Sequence, residues 1–156
     1  MKIVAKNKKA FHDYDIFEKL EAGIVLTGDE VKSLRAGRVS LIGSFATVKA
    51  GELFLTNCTI NPYQHAYDKS GSSKEDKATR SRKLLLHKRQ LNKLVGDVSQ
   101  KGITIIPLKI YFNKKNIAKV ELGICKHKKA VGKKQALKER DIKRQTAREL
   151  KDVYKY

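Results

Sequence analysis

Ile103-Thr104-Ile105-Ile106-Pro107-Leu108-Lys109-Ile110-Tyr111-Phe112 leads through Asn113-Lys114-Lys115-Asn116 into Ile117-Ala118-Lys119-Val120-Glu121-Leu122-Gly123-Ile124-Cys125. The two apolar runs flank a polar turn, which is the pattern of a β-hairpin. Pro107 cannot donate to a ladder, so it points to an edge or a bulge. A second hairpin precedes it. Ser44–Ala50 and Glu52–Ile60 alternate and meet at Ala50-Gly51, and Asn61-Pro62 ends the pair.

Working outward, Ile16–Leu26 reads as another strand, with Gly23 as a bulge candidate. Thr27 then caps a short helix over Gly28–Ala36, with Glu30 three residues on to complete a capping box and Gly37 as the stop. From His87, the positions Leu91, Leu94, Val95 and Val98 take helical spacing, ending by Gly102. Between the hairpins, residues 64–82 are polar around Ser70-Gly71-Ser72-Ser73 and read as a mobile surface loop ending in Arg80-Ser81-Arg82-Lys83. No internal repeat is visible. Short strands with helices between them and no βαβ rhythm give the expectation: a mainly β, OB-like antiparallel barrel with two or three short helices and a basic C-terminal tail.

The boundary falls near Cys125–Lys126, giving a barrel over 1–125 and a tail over 126–156. The tail holds twelve bases against four acids, a net +8, and the body carries the remaining +11 of a total of +19 over 156 residues. The tail's large aliphatics, Val131, Leu137, Ile142, Leu150 and Val153, are too few and scattered to hold it to a core, so it is expected to be disordered alone. Such a charge surplus calls for a polyanion, either nucleic acid or an anionic membrane. No apolar run is long enough to span a bilayer, and the start, Met1 to Lys9, lacks a signal-peptide block. A cytoplasmic protein is expected. Cys58 and Cys125 could pair but fit two reduced core thiols better.

Signals for catalysis are weak. His12, His65, His87 and His127 stand at no metal-ligand spacing, and no C-x-x-C, H-E-x-x-H, phosphate loop or nucleophile elbow is present. No metal, cofactor or catalytic residue is expected. Glu18, Glu21, Asp29 and Glu30 could supply a carboxylate pair, but pairs this close arise freely by chance.

Nucleic-acid signals recur. Basic clusters stand at Lys6-Asn7-Lys8-Lys9, at Arg80 to Lys83 extending to Lys88-Arg89, and in the tail. Each phosphate contact releases counterions, so binding should be salt-sensitive. Tyr14, Tyr63, Tyr67, Tyr111 and His87 lie near these clusters, where aromatics can stack on splayed bases. Lys32 and Arg35 lie three apart on the short helix. Glu30 either caps that helix or accepts hydrogen bonds from a base. Leu84-Leu85-Leu86 is either core or presents a leucine to a flipped base.

Several of these segments coincide with one pattern. Asn7-Lys8-Lys9-Ala10 with Asp13-Tyr14, the unbroken Gly23-Ile24-Val25-Leu26-Thr27-Gly28-Asp29-Glu30-Val31-Lys32-Ser33-Leu34-Arg35, Asn57 with Pro62-Tyr63, and Arg82-Lys83-Leu84-Leu85-Leu86-His87 occur in that order. Together they resemble the small protein B (SmpB) family, the SsrA-binding proteins that partner tmRNA in bacterial ribosome rescue. The resemblance covers nearly the whole chain. It implies an OB-like barrel that binds the tRNA-like domain of tmRNA and completes its tRNA mimicry. Alanyl-tmRNA with elongation factor Tu and GTP then enters a stalled ribosome, and the tail folds into a helix at the decoding centre and empty mRNA channel. It implies no covalent chemistry, and a monomer is expected.

Carried over onto matched motifs, the RNA-binding candidates are Asn7, Lys8, Lys9, Tyr14, Glu30, Lys32, Arg35, Asn57, Tyr63, Arg82, Lys83, Leu84, Leu85, His87 and Arg89. Tail candidates for the ribosome are Lys133, Lys134, Lys138, Arg140, Lys143 and Arg144. Leu137-Lys138-Glu139-Arg140-Asp141 resembles a family segment that normally follows D-K-R, whereas Gly132-Lys133-Lys134 stands here, preceded by Val131 instead of an aromatic or histidine. The charge survives there, and the acid and ring do not. The alternatives are a general single-stranded RNA binder or chaperone on the same barrel, and an enzyme acting on RNA.

Overall fold

The computed structural model describes residues 1–62, 77–100, 102–128 and 130–153. The hairpin that decides the fold runs as expected: β8 (Ile103–Phe112) and β9 (Ala118–His127) pair antiparallel around the 113–116 turn. The ladder slips between Pro107 and Lys109, so Pro107 marks a bulge. It does not mark an edge, because β8 also pairs with β1 (Lys2–Lys6) and touches β4 (Phe45–Lys49). The bulge turns Leu108 onto Gly123, where a Cβ would meet the Leu108 side chain at 3.1 Å. A Cβ there would require the Leu108 side chain to give by a few tenths of an ångström.

The strand order β1-β8-β4-β5-β7-β2-β9 returns to β8 through the β8–β9 pairing. Six of the strands therefore close into an antiparallel barrel, with β1 added outside β8. This is the OB-like architecture. Every pairing among the described strands is antiparallel. The inward residues form one core around Leu53, Leu55, Ile105, Ile110, Val120 and Leu122, each no more than 1 % exposed. Leu34 from α2 (Gly28–Arg35) and Leu94 from α3 (Lys88–Val98) join this core, which is why those helices lie on the barrel.

Local signals explain the short elements. Thr27 and Glu30 make both halves of the capping box: the Glu30 N–H donates to Thr27 Oγ1 at 3.3 Å and the Thr27 N–H donates to Glu30 Oε2 at 3.1 Å. Ala50 and Gly51 both take positive φ, +50° and +73°, in the two-residue turn joining β4 to β5 (Glu52–Thr56).

Four expectations need correction. The bulge in β2 (Tyr14–Ile24) lies between Ile16 and Glu18, whereas Gly23 pairs regularly with Leu85 and Lys119. The arm expected to run to Ile60 stops at Thr56, where Asn57 turns left-handed at φ +59° and frees β6 (Thr59–Ile60) to pair with β3 (Val39–Ser40). The segment read as loop through 82 already contains β7 (Arg82–Leu85), inserted between β5 and β2. Much of that expected loop, residues 63–76 with Tyr63 and Tyr67, lies outside the described residues. The N-terminal β1 and the six-residue α1 (Lys8–Asp13) were unforeseen.

The tail forms helix α4 (Ala130–Val153). Its side chains from 138 to 151 are all exposed. Among the described residues, no helix is long and apolar enough to cross a membrane. Cys58 and Cys125 are free and buried.

Candidate nucleic-acid interface

A groove of about 520 Å³ opens where the end of β2 meets β7, the start of α3 and the β8–β9 turn. Glu21, Leu85, His87, Gln90, Ile117 and Lys119 line it. Alternation along β7 builds its apolar wall. Leu84 points inward at 3 % exposure, and Leu85 points outward at 52 %. Gly23 backs that wall, lying opposite Leu85 with 3.3 Å from its would-be Cβ to Leu85 Cβ. Ile117 supplies a second exposed aliphatic surface.

The polar edge is built around Glu21. Tyr111 Oη donates a hydrogen bond to Glu21 Oε2, and Lys119 Nζ lies 4.0 Å from Oε1. Burial, then the hydrogen bond to Glu21, push the Tyr111 hydroxyl well above its ordinary value, so it remains a donor. Tyr111 therefore holds the carboxylate in place. At 5 % exposure it is not a stacking surface, contrary to the sequence expectation. The groove thus presents two leucine-like surfaces for a base, a steadied acceptor for base or ribose donors, and an imidazole. Lys119 lines it as well, and Lys88 and Arg89, both exposed, lie between the lining residues His87 and Gln90 in sequence. Lys83 pairs with Glu52 at 2.7 Å on the half-exposed surface.

Four of the expected contacts are turned inward. Asn7 caps α1, its Oδ1 accepting from the Ala10 N–H at 3.2 Å, while Nδ2 donates to the Pro107 carbonyl at 3.0 Å and to Leu41 at 3.4 Å. Leu84 is core. Arg82 is fully buried. Its Nε donates to Glu30 Oε1 at 3.0 Å, and its terminal nitrogens reach the carbonyls of Cys58, Arg80, Ala78 and Lys77 at 2.7–3.3 Å. Glu30 in turn receives Arg80 on both oxygens, at 2.6 and 2.7 Å. Burial raises the Glu30 carboxyl, but Arg80, Arg82 and the Thr27 N–H outweigh it and hold it below the ordinary carboxylate range. The cluster ties α2 to the start of β7, the strand that carries Leu85.

The remaining candidates spread over the surface. Arg35 lies over the Phe112 ring at 6.0 Å and lines a second hollow with Met1, Lys2 and Lys114, across the β8–β9 turn from the Leu85 groove. Lys32 and Asn57 are exposed, as are Lys8 and Lys9 on α1. Tyr14 is half-buried against His127, ring edge to face at 5.0 Å. In the tail, Lys138, Arg140, Lys143 and Arg144 are exposed on α4, and the side chains of Lys133 and Lys134 lie outside the described residues. Sequence reasoning did not assign Glu21, Gln90, Ile117 or Lys119 to the RNA face. Alternation along β2 carries a signal for Glu21, since its exposed positions are Asp15, Phe17, Lys19 and Glu21.

Comparisons with known proteins find SsrA-binding proteins as relatives. An SsrA-binding protein of Coprothermobacter proteolyticus is 49 % identical over 154 residues, covering 99 % of this chain and all of the relative. One from Sulfurihydrogenibium sp. is 52 % identical over 99 % of this chain and 97 % of its own. A solved structure described as "tmRNA-SmpB: a journey to the center of the bacterial ribosome" is 52 % identical, with a TM-score of 0.63 over 81 % of this chain and 85 % of that one. The family model "SmpB protein" matches residues 4–152, and on that match, with relatives half identical over nearly their full length, the chain belongs to the SmpB family.

Proposed function

We propose that this chain is a tmRNA-binding factor of trans-translation, and that the Leu85 groove receives the tRNA-like domain. It binds tmRNA and acts with it on the stalled ribosome. The observation that carries the site assignment is the outward Leu85 standing beside the Tyr111-steadied Glu21. A base covering the exposed Leu85, the last residue of β7, would take its apolar surface out of water, and a fixed carboxylate can accept from that base or its ribose. Lys83, Lys88, Arg89 and Lys119 take the backbone, with Arg35 and Lys114 continuing the basic surface across the turn. Protein and RNA together stand in for a tRNA, delivered with elongation factor Tu and GTP.

The tail is the ribosome-entering part. From 138 to 151 its described side chains are all exposed, so over that stretch packing adds nothing to propensity, and a helix on propensity alone is marginal in water. Between the anionic RNA walls of the decoding centre and mRNA channel, Lys138, Arg140, Lys143 and Arg144 find the phosphates that fix it. The protein performs no catalysis and works in the cytoplasm as a monomer.

The test is a competition. The tRNA-like domain of tmRNA, bound to the full chain, should resist a large excess of poly-U. Displacement by poly-U would instead indicate a general single-strand binder.

A further inference from the structure

The other end of β2 carries a second groove, of about 410 Å³, lined by Phe11, Tyr14, Ile16, Phe17 and Lys19 together with Asp15 and Glu18. Phe17 at its centre lies about 13 Å along the strand from Glu21, four residues at roughly 3.3 Å each. Between Ile16 and Glu18 the ladder with β9 slips and leaves Phe17 unpaired, and its ring lies on the outward face shared by Asp15, Lys19 and Glu21, at 61 % exposure. Phe11, from the solvent side of α1, is 46 % exposed beside it.

Both rings carry cations. Lys126 Nζ stands 5.9 Å from the Phe17 centroid and Lys19 Nζ stands 5.5 Å from that of Phe11. Lys128, bonded through Nζ to the Phe11 carbonyl at 3.4 Å, adds a third positive charge. Of the two carboxylates, Glu18 is already paired with Lys93 at 2.7 Å, and Asp15 lies opposite Lys126 across the strands. Exposed rings ringed by ammonium groups are the arrangement that holds an unstacked base with its flanking phosphates. An apolar peptide would fill the aromatic surface but bring no negative charge to the ammonium groups of Lys19, Lys126 and Lys128.

We infer that the Phe11–Phe17 groove is a second RNA site, taking one unpaired nucleotide of a single strand, distinct from the Leu85 groove. It sits at the root of α4, where the Lys128 N–H donates to the Asp13 carbonyl at 2.9 Å and His127 packs on Tyr14.

The test uses the full-length protein saturated with the tRNA-like domain of tmRNA, and a short unstructured RNA with a central 2-aminopurine as probe. The probe should bind the saturated protein, with its fluorescence quenched. Phe17→Ala should weaken probe binding at least fivefold and remove most of the quench, and Phe17→Trp should retain both. Affinity for the tRNA-like domain should stay within twofold. Lys126→Glu, which leaves the ring in place, should weaken binding while keeping residual quench, and guards against an effect of folding. Probe binding indifferent to Phe17→Ala and Lys126→Glu would overturn the inference and leave the face to a protein partner. Displacement of the probe by the tRNA-like domain would overturn it too, by making the two grooves one site.

Discussion

Arg82 Nε donates to Glu30 Oε1 at 3.0 Å across 52 residues of sequence, and this bond joins the cap of α2 to the first residue of β7. Both partners are interior, so each depends on the other for its charge. Removing the acid strands a fully buried guanidinium, and breaking such a pair costs about 3–5 kcal/mol. Glu30→Ala should therefore lower the unfolding free energy from urea titration by an amount of that order, and Glu30→Gln by less. A loss of tmRNA affinity with unchanged stability would return Glu30 to the RNA surface. A Glu30→Leu, Arg82→Met double variant should recover part of the loss, because two apolar side chains leave no unpaired charge.

The same cluster sets an acid limit. The folded Glu30 carboxyl lies below its ordinary value of 4.5, so the folded state binds its proton more weakly than the unfolded chain. Its contribution is fully present above about pH 4.5 and is lost as pH falls through the lowered folded value. Urea unfolding measured at pH 7, 5 and 4 should show wild type losing more stability over the last step than Glu30→Gln. Parallel curves would mean that other carboxylates dominate acid unfolding.

Leu85 and Glu21 should separate from this behaviour. Leu85 is half-exposed, and replacing it touches only the surface, so Leu85→Ala should shift stability by no more than about 0.5 kcal/mol. Its effect on the tRNA-like domain should be several-fold to tenfold, since covering the exposed half of a leucine is worth about 1 kcal/mol. Glu21→Gln keeps the shape and loses the charge, and should cost several-fold. Tyr111→Phe releases the Glu21 carboxylate and should cost a smaller factor without changing the salt slope. Gel-shift titrations at two salt concentrations measure all three.

Much of this was legible before any coordinates, and the boundary of legibility is physical. Hairpins and the capping box are local, so Ala50-Gly51 and Thr27/Glu30 could be read directly. Pro107 announced its bulge because it lacks an N–H. Whether a charge faces in or out is decided by distant partners. Arg82 reads as one more base in a basic cluster, yet the carbonyls of Cys58 and Ala78 turn it inward. Asn7 reads as a phosphate contact, yet its partners, Leu41 and Pro107, lie 34 and 100 residues away. The bulge expected at Gly23 fell at Phe17 because bulges follow register against β9, and register is a property of two strands. The interface residues Glu21 and Lys119 meet only because β2 and β9 pair.

The two thiols offer a check on the core. Burial raises Cys58 and Cys125 to about 11, with Arg82 lowering and Glu30 raising Cys58 by smaller amounts. Thiolate is then scarce at neutral pH and the sulfurs are covered. Native protein should react with a thiol reagent at pH 8 far more slowly than protein in 8 M urea, with two equivalents titrating only in the latter. Glu30→Ala, by loosening the Arg82 cluster against the Cys58 carbonyl, should speed Cys58 selectively, which peptide mapping would resolve.

The tail is the sharpest division of labour on the chain. Its described side chains from 138 to 151 touch no core, so removing them leaves the barrel intact. Truncation after Lys129 should keep the unfolding midpoint and tmRNA affinity, the latter reduced only by the lost long-range charge, and should abolish tagging of stalled peptides. Charge reversal tests the mechanism further. Arg140→Glu with Arg144→Glu preserves helix propensity but opposes phosphate, so tagging should fall while circular dichroism of the free protein stays the same. Peptide tagging by the truncated chain at the wild-type rate would remove the tail from the mechanism. Loss of tmRNA affinity on truncation would place the tail on tmRNA instead of the ribosome.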